Sequence, residues 1–161
     1  MRGLFCMTDI DYMTFALAEA RKAADEGEIP IGALLVRKSE IVARGHNVRE
    51  KSKNPLHHAE MAVLEEGGKR LDNWRLSETT LYVTLEPCLM CLGALLQARV
   101  GRLVFGCTDP KRTSAHLFSS LSGQSSITAN NHTLQITGGI LENECATLLK
   151  DFFEGRRERQ P

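Results

Sequence analysis

No stretch of this 161-residue chain approaches the eighteen or so consecutive apolar residues that cross a bilayer. Met1 to Met7 is too short and too poor in apolar residues to be a secretory signal. An excess charge of one sign is missing as well. Twenty Lys and Arg balance twenty Asp and Glu, which argues against a protein that coats nucleic acid through bulk positive charge. The five cysteines, Cys6, Cys88, Cys91, Cys107 and Cys145, are odd in number and scattered. That excludes a disulfide framework and points to a reducing compartment, so the expectation is a soluble cytoplasmic protein. Internal repeats, low-complexity tracts and coiled-coil heptads are absent too.

What is present is enough apolar material for one packed core. A content of 42% hydrophobic and 25% charged residues suits a single globular domain over 1–161, with residues 1–7 a candidate disordered leader. Met7-Thr8-Asp9 would serve equally well as a natural start. The charge is segregated along the chain. Residues up to Glu28 are mostly acidic, whereas Arg37 to Lys53 carries Arg37, Lys38, Arg44, Arg49, Lys51 and Lys53 against Glu40 and Glu50. Such a stripe can attract phosphate even on a neutral protein, or can be an ordinary solvated hairpin face.

Thr8 followed by Asp11 reads as a capping box, with Met13, Ala16, Leu17, Ala20 and Ala24 on one face of a helix that ends at Gly27. Ile31 to Val36 and Glu40 to Ala43 read as a hairpin whose second strand runs toward Asn47. After the break at Pro55, a helix is predicted from His58 to Gly67-Gly68. A strand over Thr80 to Leu85 and a helix over Cys88 to Ala98 follow. Strands over Arg102 to Phe105 and Leu134 to Thr137 and a closing helix over Ile140 to Phe153 complete the chain. Ser119 to Asn131 is the least patterned segment and reads as a surface loop or lid.

One constellation carries chemistry. Cys88 and Cys91 stand three apart at a predicted helix start, where they share a face and the helix dipole favours their thiolates. A strand followed by Cys-x-x-Cys describes a thiol-redox pair as well as half of a metal site. His58-Ala59-Glu60 in front of another helix, with Pro87 directly before Cys88, completes the H-x-E and P-C-x-x-C signature of zinc deaminases. His58, Cys88 and Cys91 then supply three zinc ligands, and a catalytic zinc keeps its fourth position for water, whose pKa it lowers from about 16 to about 7. Two thiolates already neutralise the ion, so a nearby base is needed, and Glu60 is placed to be it. His57 adjoins His58 and is a possible alternative ligand, although the phase of H-x-E favours His58. Cys107 reads as packed core or as a fourth ligand, Cys145 as core, and His46, His116 and His132 as surface or loop residues.

These residues bring the chain to a known family. It resembles the bacterial tRNA adenosine deaminases of the cytidine deaminase superfamily through Glu28-Ile29-Pro30-Ile31-Gly32-Ala33, Gly45-His46-Asn47, His58-Ala59-Glu60, Leu81 to Cys88, Gly101 to Gly106 and Asp151-Phe152-Phe153. The resemblance implies an α/β fold of three layers, α/β/α, with a five-stranded mixed sheet. It also implies one zinc ion per subunit, a homodimer that builds its RNA-binding surface across subunits, and hydrolysis of adenosine to inosine in a tRNA anticodon loop. Glu60 becomes the catalytic acid and base, while Asn47, Ala59 and Asp109 become substrate-binding residues. A loop-capping role is the alternative for Asn47. Arg156, Arg157 and Arg159 resemble the family's basic tail, or a solvated helix end.

Two stretches depart from the family pattern. Leu56 and His57 stand where threonine and alanine are usual, and Pro110 to His116 replaces a loop rich in glycine and alanine. Three readings therefore stand side by side at this stage: a tRNA adenosine deaminase, a deaminase of a free nucleobase or nucleoside, and a non-enzymatic zinc or thiol-redox module.

Overall fold

The computed structural model describes residues 6–109, 126–129 and 131–159. The proposed leader and the loop from Pro110 to His116 therefore lie almost wholly outside the described residues. In chain order the elements are α1 (Asp9–Asp25), β1 (Gly32–Arg37), β2 (Glu40–His46), α2 (Arg49–Ser52), α3 (Ala59–Leu71), β3 (Thr79–Leu85) and α4 (Leu89–Gln97). They continue with β4 (Arg102–Cys107), β5 (Ser126–Ala129), β6 (His132–Thr137) and α5 (Glu142–Arg157). The sheet has six strands in the order β2-β1-β3-β4-β6-β5. Helices α1 and α5 touch each other and pack on one face, while α3 and α4 touch each other and pack on the opposite one. The three-layer α/β/α architecture holds, with one strand more than expected.

The additional strand corrects the reading of Ser119 to Asn131 as loop. Within that segment Ser126–Ala129 pairs antiparallel with β6, setting Ile127 opposite Leu134 and Thr128 opposite Thr133, whose hydroxyls lie 2.9 Å apart. Four residues at a sheet edge, with one apolar side chain turned toward the core, leave too short a pattern to be read from sequence. Helix α3 also runs past its predicted stop at Gly67-Gly68. Gly67 lies against Leu35 so closely that a β-carbon would collide with that side chain, so the glycine serves helix-to-sheet packing and the helix ends only at Asp72, whose φ is +49°. The four-residue helix α2 was not predicted at all.

Helix α1 begins as expected. Thr8 Oγ1 accepts from Asp11 N at 3.3 Å and Asp11 Oδ2 accepts from Thr8 N at 2.7 Å, the reciprocal bonds of a capping box. Its first turn is then clamped to the sheet. Arg102 on β4 grips Asp9 with two bonds of 2.9 and 2.7 Å and also donates to Thr137 on β6, and Tyr82 on β3 donates to Asp9 at 2.8 Å. One carboxylate thus ties a helix to neighbouring strands. Farther along, Gly32 lets β1 approach the α1 backbone at Ala16 and Ala20, where any side chain would collide.

The sheet changes character at β3, which runs antiparallel to β1 and parallel to β4. Parallel pairing follows from the crossover through α4. As a result the start of β1 and the ends of β2, β3 and β4 gather at one edge of the sheet. The carboxyl ends of strands at such a change of direction are where open α/β sheets bind ligands.

The Asp9 carboxyl is held below its ordinary 3.8 chiefly by the hydrogen bond from Arg102, against the opposing effect of burial. Its contribution to stability is therefore complete above 3.8 and is lost as the pH falls through the lowered folded-state value. Replacing Asp9 by Asn should cost about 1–2 kcal/mol at pH 7 in urea melts, because both partners keep some solvent contact. The difference from wild type should shrink below pH 4; a constant difference down to pH 2 would assign the loss to something other than the ion pair.

Candidate active site

Helices α3 and α4 both start at this edge, and each uses a prospective ligand as its N-cap residue. His58 caps α3 and Cys88 caps α4, both with extended backbone, and neither side chain makes an ordinary capping hydrogen bond. Capping residues ordinarily turn back onto the first amides. These two turn toward each other. The Nδ1 of His58 lies 3.6 Å from the sulfur of Cys88 and 3.6 Å from that of Cys91, which sits fully buried one turn into α4. Among the described residues these three form the group whose donor atoms, all within 4.8 Å of one another, could hold a metal ion. A tetrahedral zinc with bonds of about 2.0 Å to nitrogen and 2.3 Å to sulfur sets the nitrogen-to-sulfur separation at about 3.5 Å. The trio fits such an ion in donor type and in spacing.

Charge at the pair agrees with that chemistry. A hydrogen bond from Cys91 is the largest influence holding the Cys88 thiol down, to about 3, and His58 adds to it against the cost of burial. Cys91 is pushed far up, first by its bond to Cys88, then by burial and by the Glu60 carboxylate beside it. Two sulfurs so placed hold one negative charge readily and a second only against repulsion. A dication removes that repulsion.

Glu60, in the first turn of α3, is only 3% exposed and lies within hydrogen-bonding reach of Cys91. Ala59 between His58 and Glu60 is fully buried. His57 lines a groove between α3 and α4, and Cys107 ends β4 beside β3 with its sulfur 3.5 Å from the Thr84 carbonyl, so neither joins the trio. Cys145 is packed core, as expected.

The other two predicted residues flank the cluster on separate loops. Asn47 follows β2 and is 4% exposed; its Nδ2 donates to Glu28 and to the Ile29 carbonyl, each at 3.4 Å, and its Oδ1 accepts from Arg49 N at 3.4 Å. Asp109 follows β4, and its backbone N–H donates to Glu86 Oε1 at 3.0 Å. It borders a cavity of about 640 Å³ that Ile29, Leu85, Phe153 and Arg157 also line. The basic stripe is partly neutralised within the fold, since Arg37 pairs with Glu78, Lys51 with Glu26, and Arg44 stacks on Phe15.

Sequence reasoning gave no role to the two acids that hold these loops. Glu28, 1% exposed, accepts from the amides of Glu50 at 3.2 Å and Lys51 at 2.7 Å as well as from Asn47. Glu86 is fully buried beneath Asp109. The signal available was clear for Glu86 alone, which stands between Leu85 and Pro87 at the end of an apolar strand, where a carboxylate is costly unless bonded. His46 was also underrated as a loop residue. It faces Glu19 at 3.1 Å and Glu26 at 3.5 Å, linking the end of β2 to α1.

In metal-free protein at pH 6, iodoacetamide should therefore modify Cys88 well before Cys91, Cys107 or Cys145, as mapped by peptide mass spectrometry. Added Zn2+ should protect it. Equal labelling of Cys88 and Cys107 would contradict the depressed thiol.

Comparison with known proteins agrees with this geometry. A family model described as MafB19-like deaminase matches residues 7–157. The tRNA-specific adenosine deaminase of Bacillus subtilis (strain 168) is 45% identical over 92% of this chain and 91% of its own length. That of Streptococcus pyogenes serotype M18 (strain MGAS8232) is 41% identical over 92% of each chain. A solved structure from work on A-to-I editing by tRNA:A34 deaminases at the wobble position of transfer RNA superposes with a TM-score of 0.75 at 37% identity, covering 86% of this chain and 98% of that one. On these matches the chain is a deaminase and belongs to the MafB19-like deaminase family and to that of the tRNA-specific adenosine deaminases.

Proposed function

We propose that this enzyme hydrolyses adenosine to inosine at the wobble position of a tRNA anticodon loop, with His58, Cys88 and Cys91 holding one Zn2+ and Glu60 moving the protons. The observation that carries the reading is the meeting of one imidazole and two sulfurs, from the starts of two helices, beside a buried carboxylate. Support for the substrate comes from the relatives named above, and an anticodon loop offers an unstacked base that can turn into a pocket.

When bound, the zinc supplies Lewis acidity that makes a water molecule nucleophilic near neutral pH. The chain's own residues do the rest. Glu60 accepts a proton from the attacking water and delivers one to the purine ring as the C6–O bond forms. It then takes the remaining proton from the new C6 hydroxyl and passes it to the exocyclic nitrogen as the C6–N bond breaks, leaving the C6 carbonyl of inosine, so one water is consumed and one ammonia released. Burial of Glu60 at the mouth of α3 keeps bulk water from competing for those protons. Ala59 leaves room for the base over the cluster, while Asn47 and Asp109 contact the nucleotide from the two loops. One domain over 1–161 performs this, in the cytoplasm, where tRNA is at hand.

The same reading includes a homodimer. The groove between α3 and α4, of about 1050 Å³, is lined by Leu56, Met61, Leu64, Trp74, Leu76 and Ala94 among others. Trp74 is 59% and Leu56 52% exposed there, more apolar surface than one copy has reason to show. A second copy seated in this groove would cover both. Trp74→Glu should shift the mass measured by light scattering from dimer to monomer; an unchanged dimer would move the interface elsewhere.

Replacing Glu60 by Ala should lower deamination of transcribed tRNA by at least about a thousandfold, in line with general acid–base and electrostatic contributions combined. Zinc content by mass spectrometry should stay near one per chain. Turnover of free bases or nucleosides with no change in tRNA would replace the proposed substrate, and a fully active Glu60→Ala protein would remove the mechanism.

A further inference from the structure

The amide of Asn47 is oriented by three partners that agree. Its two nearest acceptors, the Glu28 carboxylate and the Ile29 carbonyl, each lie 3.4 Å from Nδ2 and can take hydrogens only from a nitrogen. The third partner is a donor, since Arg49 N gives its hydrogen to Oδ1, also at 3.4 Å. Exchanging the amide's oxygen and nitrogen would set acceptor against acceptor twice and donor against donor once. Both N–H groups are therefore committed inside the protein. The single capacity that Asn47 retains is the second lone pair of Oδ1.

Glu28 is itself immobilised. It is 1% exposed, and its Oε1 accepts from Lys51 N at 2.7 Å while Oε2 accepts from Glu50 N at 3.2 Å. The loop is closed on its other side by Asn47 N donating to the Ile31 carbonyl at 3.0 Å and Val48 N donating to the His57 carbonyl at 3.2 Å, one residue before the ligand His58. The carboxylate thus sets the conformation of the strap that joins β2 to the cluster.

We propose that Glu28 is a positioning residue that locks Asn47 as an acceptor toward substrate, so that the target nucleotide is gripped through a donor, its ribose 2′-hydroxyl. The proposal rests on the reading of Asn47 as a substrate contact. Within an RNA strand the 3′ and 5′ oxygens are esterified, which leaves adenosine two donors, the exocyclic amine and the 2′-hydroxyl. The amine faces His58, Cys88, Cys91 and Glu60 because it is the group that leaves. An acceptor on the neighbouring loop is then matched by the sugar, and the 2′-hydroxyl is the feature that separates RNA from DNA. The lock makes ribose selection a property of a buried acid that never touches the nucleotide.

The test uses anticodon stem-loops carrying ribose, 2′-deoxyribose or 2′-fluororibose at the target adenosine, the last unable to donate. Wild-type kcat/KM should fall about tenfold on both modified loops, the effect of one lost hydrogen bond. In Glu28→Met no acceptor from this side chain faces Asn47 Nδ2, so one of its hydrogens is free to donate and the amide is no longer held in one orientation. The ribose substrate should then lose about tenfold and the ribose-to-deoxyribose ratio should approach one, with zinc content unchanged. A wild-type ratio retained in a folded Glu28→Met protein, or a wild type indifferent to the 2′-hydroxyl, overturns the proposal. A separate readout covers a variant that does not fold or an enzyme that does not act on RNA. In wild-type protein the Asn47 side-chain amide hydrogens should exchange with D2O at least tenfold more slowly than those of Asn73, followed by NMR. Unprotected Asn47 hydrogens overturn the lock whatever the substrate is, whereas protected ones in a protein inert toward every RNA retire the tRNA reading and the ribose contact with it.

Discussion

The site depends on two helices beginning at the same place. Because β3 pairs antiparallel with β1 on one side and parallel with β4 on the other, α3 and α4 lie on one face and start at one edge. Their first residues, His58 and Cys88, give up ordinary capping to meet across the gap. Each helix is left with amide hydrogens that its own cap does not satisfy, and the positive ends of both dipoles point at the sulfurs. The fitness of the trio for a dication follows from that convergence, and thiolate formation at Cys88 is favoured most by the hydrogen bond from Cys91.

Rigidity behind the site comes from packing that leaves little slack. Gly67 against Leu35 fixes how closely α3 lies on the sheet, and Gly32 does the same for α1 on the other face. Asp9, Arg102 and Tyr82 anchor the start of α1 to the strands whose far ends carry the loops of Glu86 and Asp109. A buried Leu, Val and Ala core between the layers keeps these distances. The residues proposed to hold metal therefore sit at the starts of helices, while Asn47 and Asp109, proposed to contact substrate, sit on loops.

That division explains what could be read from the residues alone. The chemistry was legible because H-x-E and P-C-x-x-C are local spacings, and local spacing survives folding. The order of helices and strands was legible for elements with a full amphipathic period, such as α1 and α3. The edge strand Ser126–Ala129 and helix α2 escaped because four residues carry no period. The end of α3 was misplaced because glycine has two uses, ending a helix or allowing close contact, and only the position of Leu35 decides between them. Glu28 and Glu86 escaped for a different reason. Their partners are backbone amides far along the chain, at Glu50, Lys51 and Asp109, and no pattern of residue types announces a main-chain partner.

Those two acids have a consequence for how such an enzyme can change. Since they hold main-chain groups, the loops beside the cluster keep their course whichever side chains project from them. Leu56 and His57 are then free to drift in size and polarity without dismantling the frame. A lineage can try new guests on the same scaffold, so long as two glutamates stay in place.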